Sequence, residues 1–473
     1  MGAFDGQILS VETISHFTNP YVRVLDQVYW NVLELFDKVK DSLQQVNALY
    51  GKSNLTSLGV DTMGVAFALL DGSGELLGNP QYSRLPQRKK ILTEAYRRSM
   101  PDEIYQQTGL QPSRLNSLYG LLAMKLADSP MLNVANTFLM LPDLINYWLT
   151  GRIASEYTIA STSHLLGART KSWAYPLIAD MQLPAHIFPE IIDPGQVFAL
   201  LHSTVAAETG LPTIPVVATA AHDTAAAVAS VPATQPNFAY LSSGTWGMVG
   251  AELGSPILTT EAQQLNFANE GGVEQTIRFI NNNLNLWLIQ ECQRIWEKQG
   301  KTYGWNELVA MAELSMPFMA LIDPNAADFF LPANMPRAIQ RFCQRTRQDI
   351  PQTPGQIVRT ILESLAIRYR QAIDNLSAIL DCQPQVIHLI GGGGRNRLLN
   401  QFAANATGLP VIVGPFEATS IGNILVQMIA VGDLASLKEG RALVNTSFLT
   451  ETYLPADSDI WEEQFNQWKS VFF

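Results

Sequence analysis

The chain has 473 residues and a mass of 52.2 kDa, too long for one ordinary core, so two large domains are expected. With 47% apolar and 15% charged residues it is neither disordered nor fibrous, and a net charge of −11 without a basic block argues against nucleic acid as a partner. Three dispersed cysteines (Cys292, Cys343, Cys382) form neither a disulfide framework nor a CxxC metal knuckle, no signal-peptide pattern opens the chain, and no apolar run approaches the roughly 20 residues of a membrane helix. An acidic, two-domain cytoplasmic enzyme without membrane contact is expected.

In chain order, the β-rich stretch Gln7 to Phe17 reads as a strand. Tyr29 to Tyr50 carries Val32, Leu35, Phe36, Val39, Leu43, Val46 and Leu49 at helical spacing, which predicts an amphipathic helix. SLGVDTMGVAFALLDGSGELLGN reads as two strands around a glycine turn, closed by a D-G-S-G turn. Residues 102–172 are mostly helical, with loops at Leu110–Asn116 and Leu141–Asp143. Leu211 to Ala218 is a buried strand that runs into a small-residue helix, AAHDTAAAVASV. Ala233 to Pro236 is the candidate hinge. The second half restarts with a hairpin, FAYLSSGTWGMVGAEL, followed by helices at about 285–299 and 354–381. VIHLIGGGGRNRLLNQFAANATG reads as strand, glycine turn and helix; LPVIVGP is a further strand and ATSIGNILVQMIAVG a further helix. Strands alternating with helices in both halves predict an α/β class with parallel pairing.

Four segments carry candidate chemistry. Gly391 to Gly394 lies between a strand and a helix, where glycines admit close backbone approach and the helix start offers free N–H groups. It is neither a Walker loop nor a clean G-x-G-x-x-G, so a plain structural turn stands beside a nucleotide site. Ser242-Ser243-Gly244-Thr245-Trp246 could wrap phosphate oxygens or form an ordinary hairpin. His222-Asp223-Thr224 follows an apolar strand; Asp223 could serve as general base or as a helix cap, and a bare tripeptide reads first as the cap. The polar clusters Asn266 to Gly272, Asn281 to Asn283 and Gln290 read by spacing as turn chemistry.

Taken in order, VDTMG, LYGLLAMK, LPDLINYWLTG with SEYT, AAHDTAAAVA, YLSSGTW, NEGG, LNLWLIQECQ, IGGGGRNRLLNQ and GPFEATSIGNILVQ resemble the FGGY carbohydrate kinases, most closely their L-rhamnulose kinase branch, from about Leu9 to Leu437. The resemblance implies two actin-like (ribonuclease-H-like) α/β domains with a cleft between them: a sugar-binding domain over 1–232 and a nucleotide-binding domain over 237–473. It implies transfer of a phosphoryl group from ATP, with Mg²⁺, to a sugar hydroxyl. By the same resemblance Asp223 is the base and His222, Thr224, Gly64 and Asn282 contact the sugar. Thr245, Gln290, Gly392 and Gly393 bind the nucleotide, with Asn396 as a further candidate.

Three departures accompany the resemblance. The family opens with a strand and a D-x-G-A-S-S-G-R-type turn, whereas this chain starts at what looks like the second strand. The first domain is therefore expected to lack its first strand, beside the strand ending at Val60–Asp61, and the native product is expected to extend upstream of Met1. Met63 and Ala66 stand where an aromatic residue and an aspartate are usual, so the sugar is L-rhamnulose or a related ketose. Tyr82-x-Arg84 keeps only part of a Y-R-D-x-R-T-type run. The competing reading is a catalytically lapsed kinase-like protein that binds sugar or nucleotide. A filament protein of the actin fold and a dehydrogenase rank below both.

Overall fold

A computed structural model describes residues 1–51, 54–82 and 89–472. The chain divides into two compact units that interleave along the sequence: Met1–Ser230 with Glu252–Phe279 and Thr419–Ser447, and Val231–Ala251 with Ile280–Ala418 and Phe448–Phe473.

In the first unit the strand Pro215–Ala218 pairs antiparallel with Gln196–Leu200 and parallel with Leu58–Gly59, which forms the edge of that sheet. The parallel pairing continues past the strand ends. Thr62 bridges His222, the Thr62 amide donates to the Ala221 carbonyl at 2.9 Å, and the Asp223 amide donates to the Thr62 carbonyl at 2.9 Å. Helix Asp223–Ala229 then leaves the strand end. Its Ala-rich sequence serves packing: Ala225, Ala226 and Ala229 are buried in one cluster with Val426 and Leu437. The helix 418–431 crosses so closely that a Cβ on Gly422 would sit 1.7 Å from the Ala226 carbonyl oxygen.

Several expectations shift. The first predicted strand shortens to Leu9–Val11, which pairs with Gly2–Phe4 as a hairpin; Gly2 rests on Ile424 and the Leu9 amide donates to Ser447 Oγ at 2.9 Å. The helix predicted from Tyr29 begins at Val32, because Gln27–Trp30 is taken up by a hairpin with Tyr21–Val24. The loop predicted at Leu141–Asp143 is instead the first turn of helix Leu141–Thr150, where Pro142 is tolerated because the first helical amides have no intrahelical partner. Tyr82 belongs to the hairpin region, its amide donating to the Val28 carbonyl at 2.8 Å, while Arg84 lies outside the described residues.

In the second unit, strand Phe238–Ser243 forms the predicted hairpin with the strand starting at Trp246, and pairs parallel with Val386–Ile390. Val386–Ile390 pairs parallel with Val411–Val413, which is closed by the antiparallel strand Glu451–Tyr453. The long helix Pro354–Leu380 begins with a capping box, Thr353 accepting from the Gln356 amide and Gln356 from the Thr353 amide, which satisfies two otherwise orphaned donors.

The Gly422 contact yields a direct test. Gly422→Ala places a methyl against backbone that cannot move without displacing helix Asp223–Ala229, so it should destabilise by about 1–3 kcal/mol or more. Urea unfolding followed by circular dichroism measures this, and an unchanged midpoint would contradict the packing described.

Candidate active site

The substrate side of the first unit is assembled at the C-terminal ends of its parallel strands. Asp223 is the first residue of its helix, and the side chain remains 44% exposed. Its Oδ1 accepts from the Thr224 amide at 2.6 Å and from Thr224 Oγ1 at 3.1 Å, and faces His222 Nε2 at 3.4 Å. The cap reading is thereby narrowed: Asp223 engages only the next residue, and among the described residues no hydrogen bond goes to its Oδ2. One oxygen is anchored and the other is left for a ligand.

Gly64 comes to this strand end through the backbone bonds of Thr62. A Cβ on Gly64 would stand 3.0 Å from Thr162 Oγ1, which excludes any other residue without displacement. The next residue, Val65, is held at φ 67°, a conformation that a β-branched side chain resists. Two hydroxyls enforce it: Thr162 Oγ1 accepts from the Val65 amide at 3.1 Å, and Ser117 Oγ donates to the Val65 carbonyl at 2.9 Å. Met63 is partly buried against an apolar cluster of Val32, Ala66, Ala68, Leu70, Leu139, Leu141 and Leu144. Ala66 is itself inside that cluster, so its methyl packs in the core.

Behind His222 and Asp223 lies a carboxylate that spacing did not single out. Glu156 is fully buried and caps the short helix Tyr157–Ala160. Its Oε1 accepts from the Thr158 amide at 2.8 Å; its Oε2 accepts from Thr158 Oγ1 at 2.6 Å, the Ile159 amide at 3.0 Å and the Ala221 amide at 3.2 Å. The His222 amide in turn donates to Thr158 Oγ1 at 3.2 Å. One side chain thus ties the segment SEYT to the segment AHD. Burial pushes the Glu156 carboxyl up to about 7 against the pull of these hydrogen bonds. Asp143, which accepts from the Glu156 amide at 3.0 Å, is pushed well above the carboxylate range by burial. Asp61 is also raised to about 7, by burial and the nearby Asp223 charge, against an Asn423 amide that donates to it at 2.5 Å.

Two further buried groups complete this side. Glu270, of the segment NEGG, and Arg278 form an ion pair at 2.9 Å, and Arg278 Nη2 also stands 2.9 Å from His222 Nδ1. Burial works against the Glu270 charge, but the Arg278 guanidinium holds its carboxyl down at about 2. The sequence signal for Arg278 is a single charge between apolar residues at the start of strand Ile277–Leu284, which periodicity alone reads as a solvent-facing position.

In the second unit the two glycine-bearing turns lie side by side, at the ends of the adjacent parallel strands Phe238–Ser243 and Val386–Ile390. Ligands of open α/β sheets bind at such carboxyl ends. A Cβ on Gly393 would come within 2.1 Å of Ser243 Oγ, and one on Gly391 within 3.0 Å of the Ser243 carbonyl oxygen, whereas one on Gly392 would meet nothing within 4 Å. Gly391 and Gly393 are therefore glycines for packing, and Gly392 presents the open backbone. Ser243 Oγ accepts from Asn285 Nδ2 at 3.0 Å, and Asn285 Oδ1 accepts from Tyr369 at 2.5 Å. Thr245 Oγ1 donates to Gln290 Oε1 at 3.2 Å, bringing two of the predicted nucleotide residues together. Asn396 is buried and its Oδ1 caps helix Arg397–Thr407 by accepting from the Leu399 amide at 3.1 Å, which is a structural task. Asn282 lies on strand Ile277–Leu284, where its neighbours Asn281 and Asn283 bond each other at 2.9 Å.

Among the described residues no group of three or more His, Cys, Asp or Glu side chains converges as a metal site, so these residues form no protein cage for Mg²⁺. In phosphoryl transfer the ion is held largely by the phosphates themselves. No described helix is long and apolar enough to cross a membrane.

Two outcomes follow from this geometry. Gly393→Ala should displace Ser243 and with it the Thr245 turn, raising the Kd for nucleotide at least about tenfold while the fold survives; isothermal titration with ADP checks it, and unchanged affinity would refute the packing. The raised carboxyls set a pH dependence. A carboxyl whose folded pKa exceeds its unfolded value contributes stability that is complete below the unfolded pKa and is lost as pH rises through the folded one. Asp61, Glu156 and Glu363, each raised to about 7 chiefly by burial, act this way with Asp143. His164, pushed down to about 3 by burial, opposes them below about pH 6.5 but is a single group. The thermal midpoint should therefore fall from pH 5 to pH 8; a rise across that interval would be inconsistent with these burials.

Residues 4–230 match the N-terminal domain, and residues 239–431 the C-terminal domain, of the FGGY family of carbohydrate kinases. The chain is 41% identical over 470 residues to a rhamnulokinase of Bacteroides thetaiotaomicron, covering 99% of this chain and 96% of that protein. It is 35% identical over 460 residues to a rhamnulokinase of Enterococcus faecalis, covering 96% and 91%. Among solved structures, a ligand-bound xylulose kinase of Lactobacillus acidophilus superposes with a TM-score of 0.80 at 16% identity, covering 96% and 91%, which bears on fold alone. The catalytically lapsed alternative finds no support in these likenesses. Family segments run through both halves of the chain and the similarity extends over nearly its whole length: the chain belongs to the FGGY carbohydrate kinases and is a sugar kinase.

Proposed function

We propose that this enzyme transfers the γ-phosphoryl group of ATP to the 1-hydroxyl of L-rhamnulose or a related ketose, with Asp223 as general base. The observation that carries the proposal is the half-anchored carboxylate. Asp223 Oδ1 is fixed by Thr224 and faces His222, while Oδ2 is open at a strand end beside the Gly64 turn. A base must be held in one orientation yet keep one lone pair for the proton it takes. The similarity to rhamnulokinases over nearly the full length supports the ketose.

In this reading residues 1–232 form the sugar-binding domain and residues 237–473 the nucleotide-binding domain. The sugar lies against His222, Thr224 and the Gly64 backbone, with Asn282 as a side-chain contact. The hydroxyl proton passes to Asp223 Oδ2 as the oxygen attacks the γ-phosphorus and the bond to the ADP oxygen breaks. Thr245 and the backbone of the Gly392–Gly393 turn, open at Gly392, meet the phosphates, with Gln290 beside them. A divalent cation such as Mg²⁺, held mainly by the phosphates of the nucleotide, would supply charge neutralisation there.

The test is sugar-dependent ADP release from Mg-ATP across a panel of ketoses and polyols that includes L-rhamnulose. L-rhamnulose should give the highest kcat/KM. Asp223→Asn should lower kcat by roughly 10²–10⁴-fold, the usual contribution of a general base, with the KM for ATP little changed. A variant that stays within a few fold of the parent would overturn the base assignment, and a preference for a polyol would overturn the ketose.

A further inference from the structure

Arg278 is fully buried, and everything it touches leads to His222. Its Nε donates to the Gly271 carbonyl at 2.8 Å, which fixes the plane of the guanidinium. Its Nη2 lies 2.9 Å from Glu270 Oε2 and 2.9 Å from His222 Nδ1; the contact to the ring nitrogen has hydrogen-bond geometry, while the contact to Glu270 is an ion pair. A guanidinium is permanently charged and can only donate. A ring nitrogen approached this closely by such a donor must present its lone pair. Nδ1 is therefore the acceptor, and the one proton of the neutral imidazole sits on Nε2. Glu270 stands farther from Nδ1, at 3.4 Å, and its charge is already met by Arg278. His222 Nε2 faces Asp223 Oδ1 at 3.4 Å.

The charged and titratable groups around the imidazole are Asp223 on its own segment, Glu270 and Arg278 from the two neighbouring strands, and Asp61 at longer range. Three of these are carboxyls. Without the guanidinium the Nδ1 side would face Glu270 Oε2 at 3.4 Å, and the ring proton would be drawn to Nδ1, leaving no donor at Nε2 for Asp223 or a sugar oxygen.

We propose that Arg278 is a positioning residue for phosphoryl transfer: it locks His222 as the neutral Nε2–H tautomer, so that His222 donates to Asp223 or to a sugar oxygen and does not compete for the substrate proton. The inference rests on the reading of Asp223 as base. In the balanced step the hydroxyl proton goes to Asp223, the imidazole keeps its single proton throughout, and Arg278 exchanges none.

Long-range ¹⁵N–¹H correlation of the histidine side chains in the intact enzyme tests the tautomer directly, with His222→Asn identifying the resonance. The expected pattern is Nε2–H for His222. An Nδ1–H pattern or an imidazolium would overturn the proposal, and this measurement needs no variant of Arg278 to fold. Arg278→Met should release the ring proton to Nδ1 and lower kcat by about tenfold or more, with the KM for ATP unchanged. Arg278→Lys, which keeps a charged donor, should restore the Nε2–H pattern and part of the loss. A loss of kcat with the Nε2–H pattern unmoved in Arg278→Met and no recovery in Arg278→Lys would indicate a merely structural role and reject the inference. Retained activity in Asp223→Asn would remove the base reading on its own and leave the tautomer result standing, so the two failures are separable.

Discussion

Two backbone hydrogen bonds, from the Thr62 amide to Ala221 and from the Asp223 amide to Thr62, hold the candidate site of the first unit together. They extend the parallel pairing of Leu58–Gly59 and Pro215–Ala218 beyond the sheet proper, into segments that would otherwise diverge as loops. Through them a turn near residue 64 and a helix start at residue 223 become one surface. Glu156 reinforces the junction from behind, since one buried carboxylate accepts donors from residues 158, 159 and 221. A buried acceptor with that many donors is costly to break, because each orphaned group loses both its partner and its water.

The glycine-bearing turns of the second unit follow the same logic with different chemistry. Ser243 is the centre: Gly391 and Gly393 close over it, Asn285 donates to its hydroxyl, and Tyr369 secures Asn285 from the long helix Pro354–Leu380. Backbone approach is made possible by removing Cβ atoms at two positions, which leaves the Gly392 backbone open. Hydroxyl and amide groups, and no lysine, form the turn. This suits a reaction in which positioning and backbone dipoles do much of the work and charge is neutralised by an ion that arrives with the substrate.

Charge is buried selectively. Arg278, Glu270 and His222 form a compact group in which the guanidinium satisfies a carboxylate and a ring nitrogen at once. Such a group adds little net stability, because the desolvation of each charge offsets most of the attraction. What it supplies is a fixed hydrogen-bonding geometry next to Asp223. Val65, held at a positive φ by two hydroxyls, is the backbone counterpart: a local cost maintained by surrounding structure where a ligand is expected.

The α/β alternation, the helices near 287–298 and 354–380 and the two glycine turns were legible in the sequence because each depends on local periodicity or on a residue's own backbone preference. Segment order carried the resemblance to the sugar kinases, and with it Asp223, Gly64 and Thr245. Two hairpin strands, Tyr21–Val24 and Gln27–Trp30, were hidden, since the apolar residues just after them read as one continuous helix. Asn396 could not be told from a ligand, because capping and ligation ask for the same side-chain oxygen and differ only in what lies opposite. Glu156 and Arg278 looked like ordinary charges, for nothing in the chain near them reveals that their partners are at residues 221 and 222. Composition and pattern by themselves determined the class of fold, and the resemblance carried by segment order pointed to the kind of chemistry. Tertiary structure alone decided which polar groups meet, because burial and hydrogen-bond geometry arise between segments far apart in sequence.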